Sequence, residues 1–285
     1  MKKILIGVGC SHTQGCAVVG NRPRDDGKYE LKTSALKNKY NKDWVSTDWI
    51  TENISWVGSL GKLLNVDRVY NFGLGGRGLE ANIRSLRNYI FRVNDLSNHV
   101  VILQIPHFSR KEILNIRNDK GKYEMLSGLI RELENDKAFK SFFSNYYDET
   151  FYNYVFLNEV FFLQDYVEKC GGEFYSFDWP NKNFKNLNRN RDIEEMKKLS
   201  DTAQDYLNWS IEENKNVKVE ELLSRVKLLE VDELKFTINP KWDGKSDGFG
   251  SNKLHNLGNE GLVRGDGHLS GDGNKKLAKE IYRLI

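Results

Sequence analysis

Residues Lys2 to Gly15 read KKILIGVGCSHTQG, an apolar run that breaks into a glycine-bracketed turn carrying Ser11. Ile4, Leu5, Ile6 and Val8 show no polar alternation, the pattern of a parallel strand buried on both faces. Open α/β sheets of that kind place their ligand sites at the carboxyl edge, where the turn after Val8 falls. Ser11 is therefore a candidate nucleophile, provided a base can reach it. A serine after a strand more commonly caps the next helix, so Ser11 alone decides nothing.

The other end of the chain offers a base. Arg264 to Ile285 reads RGDGHLSGDGNKKLAKEIYRLI. Asp266 and His268 lie in a glycine-rich loop, and Ala278, Ile281, Tyr282 and Ile285 then recur at the spacing of an amphipathic helix. Residues two apart in an extended segment face the same way, so Asp266 can reach the His268 ring. A serine activated by a histidine that a carboxylate orients is the common solution for acyl transfer. The competing reading is a solvated turn in which Asp266 and Asp272 bond backbone groups.

A third stretch, Val69 to Ile83, reads VYNFGLGGRGLEANI: a short strand, then Asn71, Gly73, Gly75, Gly76 and Gly78 before a helix. Glycines let backbone amides approach a ligand, and amides at a helix start face developing negative charge, the arrangement of an oxyanion hole. The same glycines loosely match a dinucleotide fingerprint. No acidic residue stands where ribose recognition would need one, so no cofactor is expected.

Taken in order, the three stretches resemble the SGNH (GDSL-like) hydrolase family. Gly9, Cys10 and Ser11, followed by His12 and Thr13, match its nucleophile turn; Asn71, Gly73 and Gly76 match its second block; Asp266 and His268 match the pair ahead of its terminal helix. The resemblance implies an α/β fold, a three-layer α/β/α sandwich with a mainly parallel central sheet, spanning 1–285 as one domain with insertions at about 22–48, 111–150 and 185–260. It further implies a serine esterase in which Ser11, His268 and Asp266 are catalytic and the amides of Ser11 and Gly76 hold the oxyanion. The substrate class it implies is a small ester or an acylated carbohydrate, with acetyl as the acyl group.

Two stretches depart from the family pattern. Its third block ends a strand with GxND, whose Asn is an oxyanion donor, whereas here Val100 to Ile105 runs into Pro106, His107, Phe108, Ser109 and Arg110. Gln104, His107, Ser109 and Arg110 are the available donors, and His12 and Asn71 join Gln104, His107 and Arg110 as candidate substrate contacts. The acid and base are also one residue closer than the family's DxxH. Asp178, just beyond the end of the strand expected over Glu173 to Phe177, is the reserve orienting acid. These departures leave two other readings open: an SGNH fold with a decayed site that binds carbohydrate or builds a virion, and an acyltransferase using the same residues.

Composition narrows the partners. With 43 basic and 40 acidic side chains the formal charge is +3, too balanced for nucleic acid or an anionic membrane to be the main partner. Three cysteines, Cys10, Cys16 and Cys170, lack metal-ligand spacing and form no even set, so reduced thiols and no metal are expected. Cys10 should point away from Ser11, and Cys16 reads as core. The apolar run before Gly7 is too short for a signal peptide and no segment reaches transmembrane length, so the expectation is a cytoplasmic protein. Abundant Lys and Asn fit an AT-rich coding genome, phage or bacterial; a phage product would work in the host cytoplasm or in the virion. Oligomeric state is not legible.

Along the remainder, Arg22 to Asp48 reads as a long polar loop. Ile54, Val57, Leu60 and Leu64 predict one helix across Thr51 to Leu64, and Tyr89 to Asn98 reads as a continuation of the helix after the glycines. Lys111 to Met125 predicts a small hairpin or an ordered loop turning at Asp119, Lys120 and Gly121. The aromatic stripe of Phe139 to Lys169 is read as core in preference to an acyl pocket. Arg191 to Leu234 reads as a charged helical insertion, and Trp242, Phe249 and His255 either stack on a sugar or pin their loop.

Overall fold

The computed structural model describes residues 3–15, 26–31, 37–38, 40–75, 77–93, 95–106, 110–115, 124–129, 149–178, 197–198, 219–231, 269 and 271–285, without the side chains of 12, 110–115, 124–129, 149–153 and 219–220. The chain divides into two compact units, one of residues 1–75, 98–104 and 229–285, the other of 76–97 and 105–228.

The first unit is built on β1 (Ile4–Val8), which pairs in parallel with β4 (Arg68–Asn71) on one side and with β5 (His99–Ile105) on the other. Ile4 lies between Arg68 and His99, and Gly7 between Asn71 and Ile102. A parallel strand covered on both faces exposes no side chain, and accordingly Leu5, Ile6 and Val8 are wholly buried and β5 is buried along its length. The mainly parallel central sheet read from the sequence is thus present.

A helix covers this sheet closely because glycines make room for it. In α3 (Trp56–Leu63), Val57 fills the space that a Cβ on Gly7 would need, and Gly61 of α3 lies against Val69 of β4. The terminal helix α7 (Gly271–Leu284) packs on α3 and buries Leu277, Ala278 and Ile281. Tyr282, predicted on the apolar stripe, is instead largely exposed, because Leu277 takes the inward position and rotates the buried face.

The single helix predicted over Thr51 to Leu64 is two. After the one-turn helix α1 (Ser11–Gln14) and the two short strands β2 (Tyr29–Glu30) and β3 (Trp44–Val45), α2 runs from Thr47 to Asn53, capped by Ser46, and α3 restarts at Trp56. Ser55 makes the break: its backbone is extended, its Oγ accepts from Val57 N at 3.1 Å and donates to the Thr13 carbonyl at 2.8 Å. A capping hydroxyl with a second partner outweighs the propensity to continue. Ser55→Ala is expected to lower stability by about 1–2 kcal/mol in chemical denaturation, since a buried cap and a buried acceptor lose a partner together.

The stretch read as a polar loop over 22–48 contains structure. β2 and β3 pair antiparallel, Tyr29 opposite Val45, and Tyr29, Leu31 and Val45 form a buried cluster with Ile50 and Ile54. Tyr40 and Trp49 pack on it edge to face, ring centroids 5.0 Å apart. Strands of two residues are too short for alternation to show in a sequence.

In the second unit, α4 (Leu79–Ile90) packs on α5 (Glu149–Lys169), which also contacts β8 (Glu173–Asp178) and α6 (Val219–Arg225). The helix after the glycines ends at Ile90 rather than continuing to Asn98, and Asp95 then closes a local turn by accepting from Ser97 N and Oγ. On α5 the residues Tyr154, Phe156, Leu157, Val160 and Phe161 are buried, as a core stripe requires, whereas Phe162 is 55% exposed. Gln164 stitches α5 to the segment after α6, donating to the Arg225 carbonyl and accepting from Lys227 N, both at 2.8 Å. The predicted hairpin is present as β6 (Arg110–Asn115) and β7 (Glu124–Leu129), antiparallel with Asn115 opposite Glu124. No helix among the described residues is long and apolar enough to cross a membrane.

Candidate active site

β1 ends at the carboxyl edge of the sheet, and the chain there folds at once into the single turn α1. Gln14 N donates to the Cys10 carbonyl at 2.9 Å and Gly15 N to the Ser11 carbonyl at 3.0 Å, with Gly15 in the left-handed region that ends the turn (φ 75°). Cys10 is the N-cap and makes no side-chain capping bond. Ser11 is thus the first helical residue and not the cap, the bland role that the sequence left open. It is 8% exposed.

Three groups fix this turn. From the end of β5, the fully buried Gln104 accepts from Thr13 Oγ1 at 2.6 Å and from Cys10 N at 3.4 Å, and its amide nitrogen donates to Cys10 Sγ at 3.5 Å. From β4, Asn71 donates to the Thr13 carbonyl at 3.0 Å, to Thr51 Oγ1 and to Ser55 Oγ, while its oxygen accepts from Gly73 N at 3.0 Å. From the glycine loop, Leu74 N donates to the Gly9 carbonyl at 3.1 Å and Gly75 N to Gln14 Oε1 at 2.8 Å. A Cβ at Gly73 would meet the backbone of Thr13 and Gln14, and one at Gly75 would lie 3.6 Å from Ser11 Cβ. The glycines permit the loop to rest directly on the serine turn.

The structure therefore brings Asn71 and Gln104 to the turn that carries Ser11. Asn71 and Gln104 bond the turn's own groups, so their observed work is to hold Ser11. Cys10 turns its sulfur to Gln104.

No protein-family model matches the sequence, and no curated protein matches it. Among solved structures the chain is similar to a lipolytic protein assigned to the G-D-S-L family from Desulfitobacterium hafniense DCB-2, at 12% identity and a TM-score of 0.41, over 100% of both chains. It is also similar to an acetyl xylan esterase from the rumen bacterium Butyrivibrio proteoclasticus, at 13% identity and a TM-score of 0.33, over 70% of this chain and 53% of that one.

Several predicted residues lie outside the described residues: Gly76, His107, Ser109, Asp266 and His268, together with Cys16, Trp179, Trp242, Phe249 and His255. His12 is placed in α1 and Arg110 at the start of β6 by backbone alone. Leu269, which follows His268 in the chain, is buried, and its carbonyl accepts from Asn274 Nδ2 at 3.3 Å as α7 begins. Leu269 and α7 belong to the unit that carries Ser11. Beside the start of α7 stands Tyr40, whose phenol burial pushes up, with Asp272 adding to the rise and Lys275 opposing it. Asp178 is buried at the end of β8 in the second unit.

Sequence reading missed Thr13, Gln14, Tyr29, Thr51 and Ser55. Gln14 accepts from Gly75 and donates to Tyr29 OH at 3.3 Å. Tyr29, Thr51 and Ser55 belong to no motif, and although Thr13 and Gln14 follow Ser11 in its turn, only the fold shows what they bond. A groove of about 620 Å³ beside β4 is lined by Thr51, Lys62, Asn71 and Phe72 among others, but not by Ser11, so it is not the pocket of the serine. Among the described residues no three His, Cys, Asp or Glu side chains gather as a metal site.

Proposed function

We propose that this chain is a serine-dependent ester hydrolase acting on a small acyl ester, with acetylated carbohydrate as the substrate class that the family resemblance implies. One observation carries the reading. Ser11 is the first residue of a helical turn at the carboxyl end of a central parallel strand, does not cap that turn, and has the glycine loop against its Cβ. A hydroxyl so placed lies on the strand-to-helix turn at the sheet edge where open α/β sheets form their ligand sites.

In this reading His268, oriented by Asp266, takes the Ser11 proton as Oγ attacks the ester carbonyl. The amides of Ser11 and Gly76 bind the oxyanion. The alcohol leaves with the proton from His268, and water, deprotonated by the same imidazole, releases the acid. A third donor, a side chain, comes from His107, Ser109 or Arg110 in place of the absent Asn, since the buried Gln104 spends its amide on Cys10 and Thr13; loss of one such donor costs about 2.7–4 kcal/mol of barrier, so a replacement is required for a fast enzyme.

The test is covalent labelling. A fluorophosphonate should modify the folded protein once, and peptide mapping should place the adduct on Ser11. Failure to label a sample with an intact thermal transition would leave a hydrolase fold that binds without reacting.

A further inference from the structure

The segment that the sequence presents as an insertion is joined to the serine turn and, through it, to the glycine loop. Tyr29 of β2 receives a hydrogen bond from Gln14 Nε2 at 3.3 Å, and the other end of the same amide, Gln14 Oε1, receives one from Gly75 N at 2.8 Å. Gln14 is almost fully buried, as is Tyr29, whose ring sits in the cluster with Leu31, Val45, Ile50 and Ile54. The two ends of one planar amide are thus fixed by a core residue on one side and by the backbone next to Ser11 on the other. Gly75 immediately precedes Gly76 in the chain.

We propose that Gln14 is a positioning residue for acyl transfer: anchored by Tyr29, it holds the glycine loop at the height over Ser11 that the oxyanion requires. The inference rests on the esterase reading above and extends it to two residues that touch neither substrate nor reacting atoms. Gly73 leaves no room for the loop to come closer, because it already abuts the Thr13 and Gln14 backbone, so the loop can only drift outward. Gln14 Oε1 opposes that drift at Gly75. An outward shift lengthens the loop's donor bonds to the transition state, where they matter most, and leaves ground-state binding of a small ester nearly unchanged.

Three variants and two rates test this, with p-nitrophenyl acetate as substrate and a fluorophosphonate as probe. Gln14→Met keeps the side chain's length but removes donor and acceptor, and is expected to lower kcat and the labelling rate by about 10- to 100-fold, the scale of a misplacement near 1 Å, with KM within about twofold. Gln14→Glu keeps an oxygen for Gly75 N whether or not its carboxyl is ionised, and is expected to recover most of both rates. Tyr29→Phe is expected to lower kcat less than Gln14→Met and to add nothing in the Gln14→Met background, because both act through one chain of bonds. Wild-type rates in Gln14→Met, a loss confined to KM, or additive losses in the double variant would each overturn the proposal. Absence of labelling in the unmodified protein would instead overturn the esterase reading on which it stands.

Discussion

Ser11→Ala and His268→Ala are each expected to lower kcat on an activated acetyl ester by about 10⁴- to 10⁶-fold, and the double variant is expected to be no slower than the worse of the two, because in the proposed mechanism nucleophile and base act as a unit. Without the hydroxyl, the imidazole has no proton to take; without the imidazole, the hydroxyl is a weak nucleophile at neutral pH. Residual activity in all three should be similar and should come from binding and the loop amides. Losses that multiply would mean that Ser11 and His268 act independently, and His268 would then no longer be the base. The orienting acid is read from the same assay. Asp266→Asn is expected to reduce kcat strongly while Asp178→Asn, changed in the buried strand end of the second unit, leaves it near wild type. The reverse ranking would move the orienting role to Asp178.

The parts of the fold visible in the sequence are those where burial is decided by the strand itself. β1 and β5 read as unbroken apolar runs because each is covered on both faces, and no polar residue interrupts Ile4 to Ile6 or Val100 to Leu103. The break between α2 and α3 is different. The apolar spacing of Ile54, Val57, Leu60 and Leu64 runs straight through it, and what stops the helix is the Thr13 carbonyl, 42 positions from Ser55, accepting the hydroxyl that also caps Val57. The small ladder of β2 and β3 is similarly set from outside, by Ile50 and Ile54 packing against Tyr29, Leu31 and Val45. Local pattern carries no trace of such partners.

At the site the same division holds. Gly9, Ser11, Asn71 and Gly73 are legible as blocks because each block is a contiguous answer to one local need, a tight turn or a close backbone approach. What their side chains bond is not legible. Asn71 serves residues 13, 51, 55 and 73, and Gln104 serves residues 10 and 13. A polar residue after a strand reads equally as a substrate contact or as a scaffold bond until the distant partner is known.

A large loss of stability is expected from Gly73→Ala. The added methyl would lie under 3.0 Å from Gln14 N, Thr13 C and Thr13 Cβ, distances that real Cβ atoms essentially never show. Two of these three are backbone atoms and cannot swing aside. The turn cannot retreat either, because Gln104 holds Thr13 Oγ1 and Asn71 and Ser55 hold the Thr13 carbonyl. The loop must therefore lift, breaking the bonds from Leu74 N to Gly9 and from Gly75 N to Gln14. Overpacking of about 1–3 kcal/mol together with about 1 kcal/mol for each lost bond gives a loss of roughly 3–5 kcal/mol. Chemical denaturation should show it, and phosphonylation of Ser11 should fall in the fraction that remains folded. Gly27→Ala is the contrasting case: Gly27 has positive φ (74°), which Gly73 does not, but no atom lies within 4 Å of its new methyl. It should cost only about 1–2 kcal/mol of backbone strain and leave labelling unchanged. A loss at Gly73 no larger than the one at Gly27 would mean that no contact resists the new methyl, and the glycine loop would then not be packed on the serine turn.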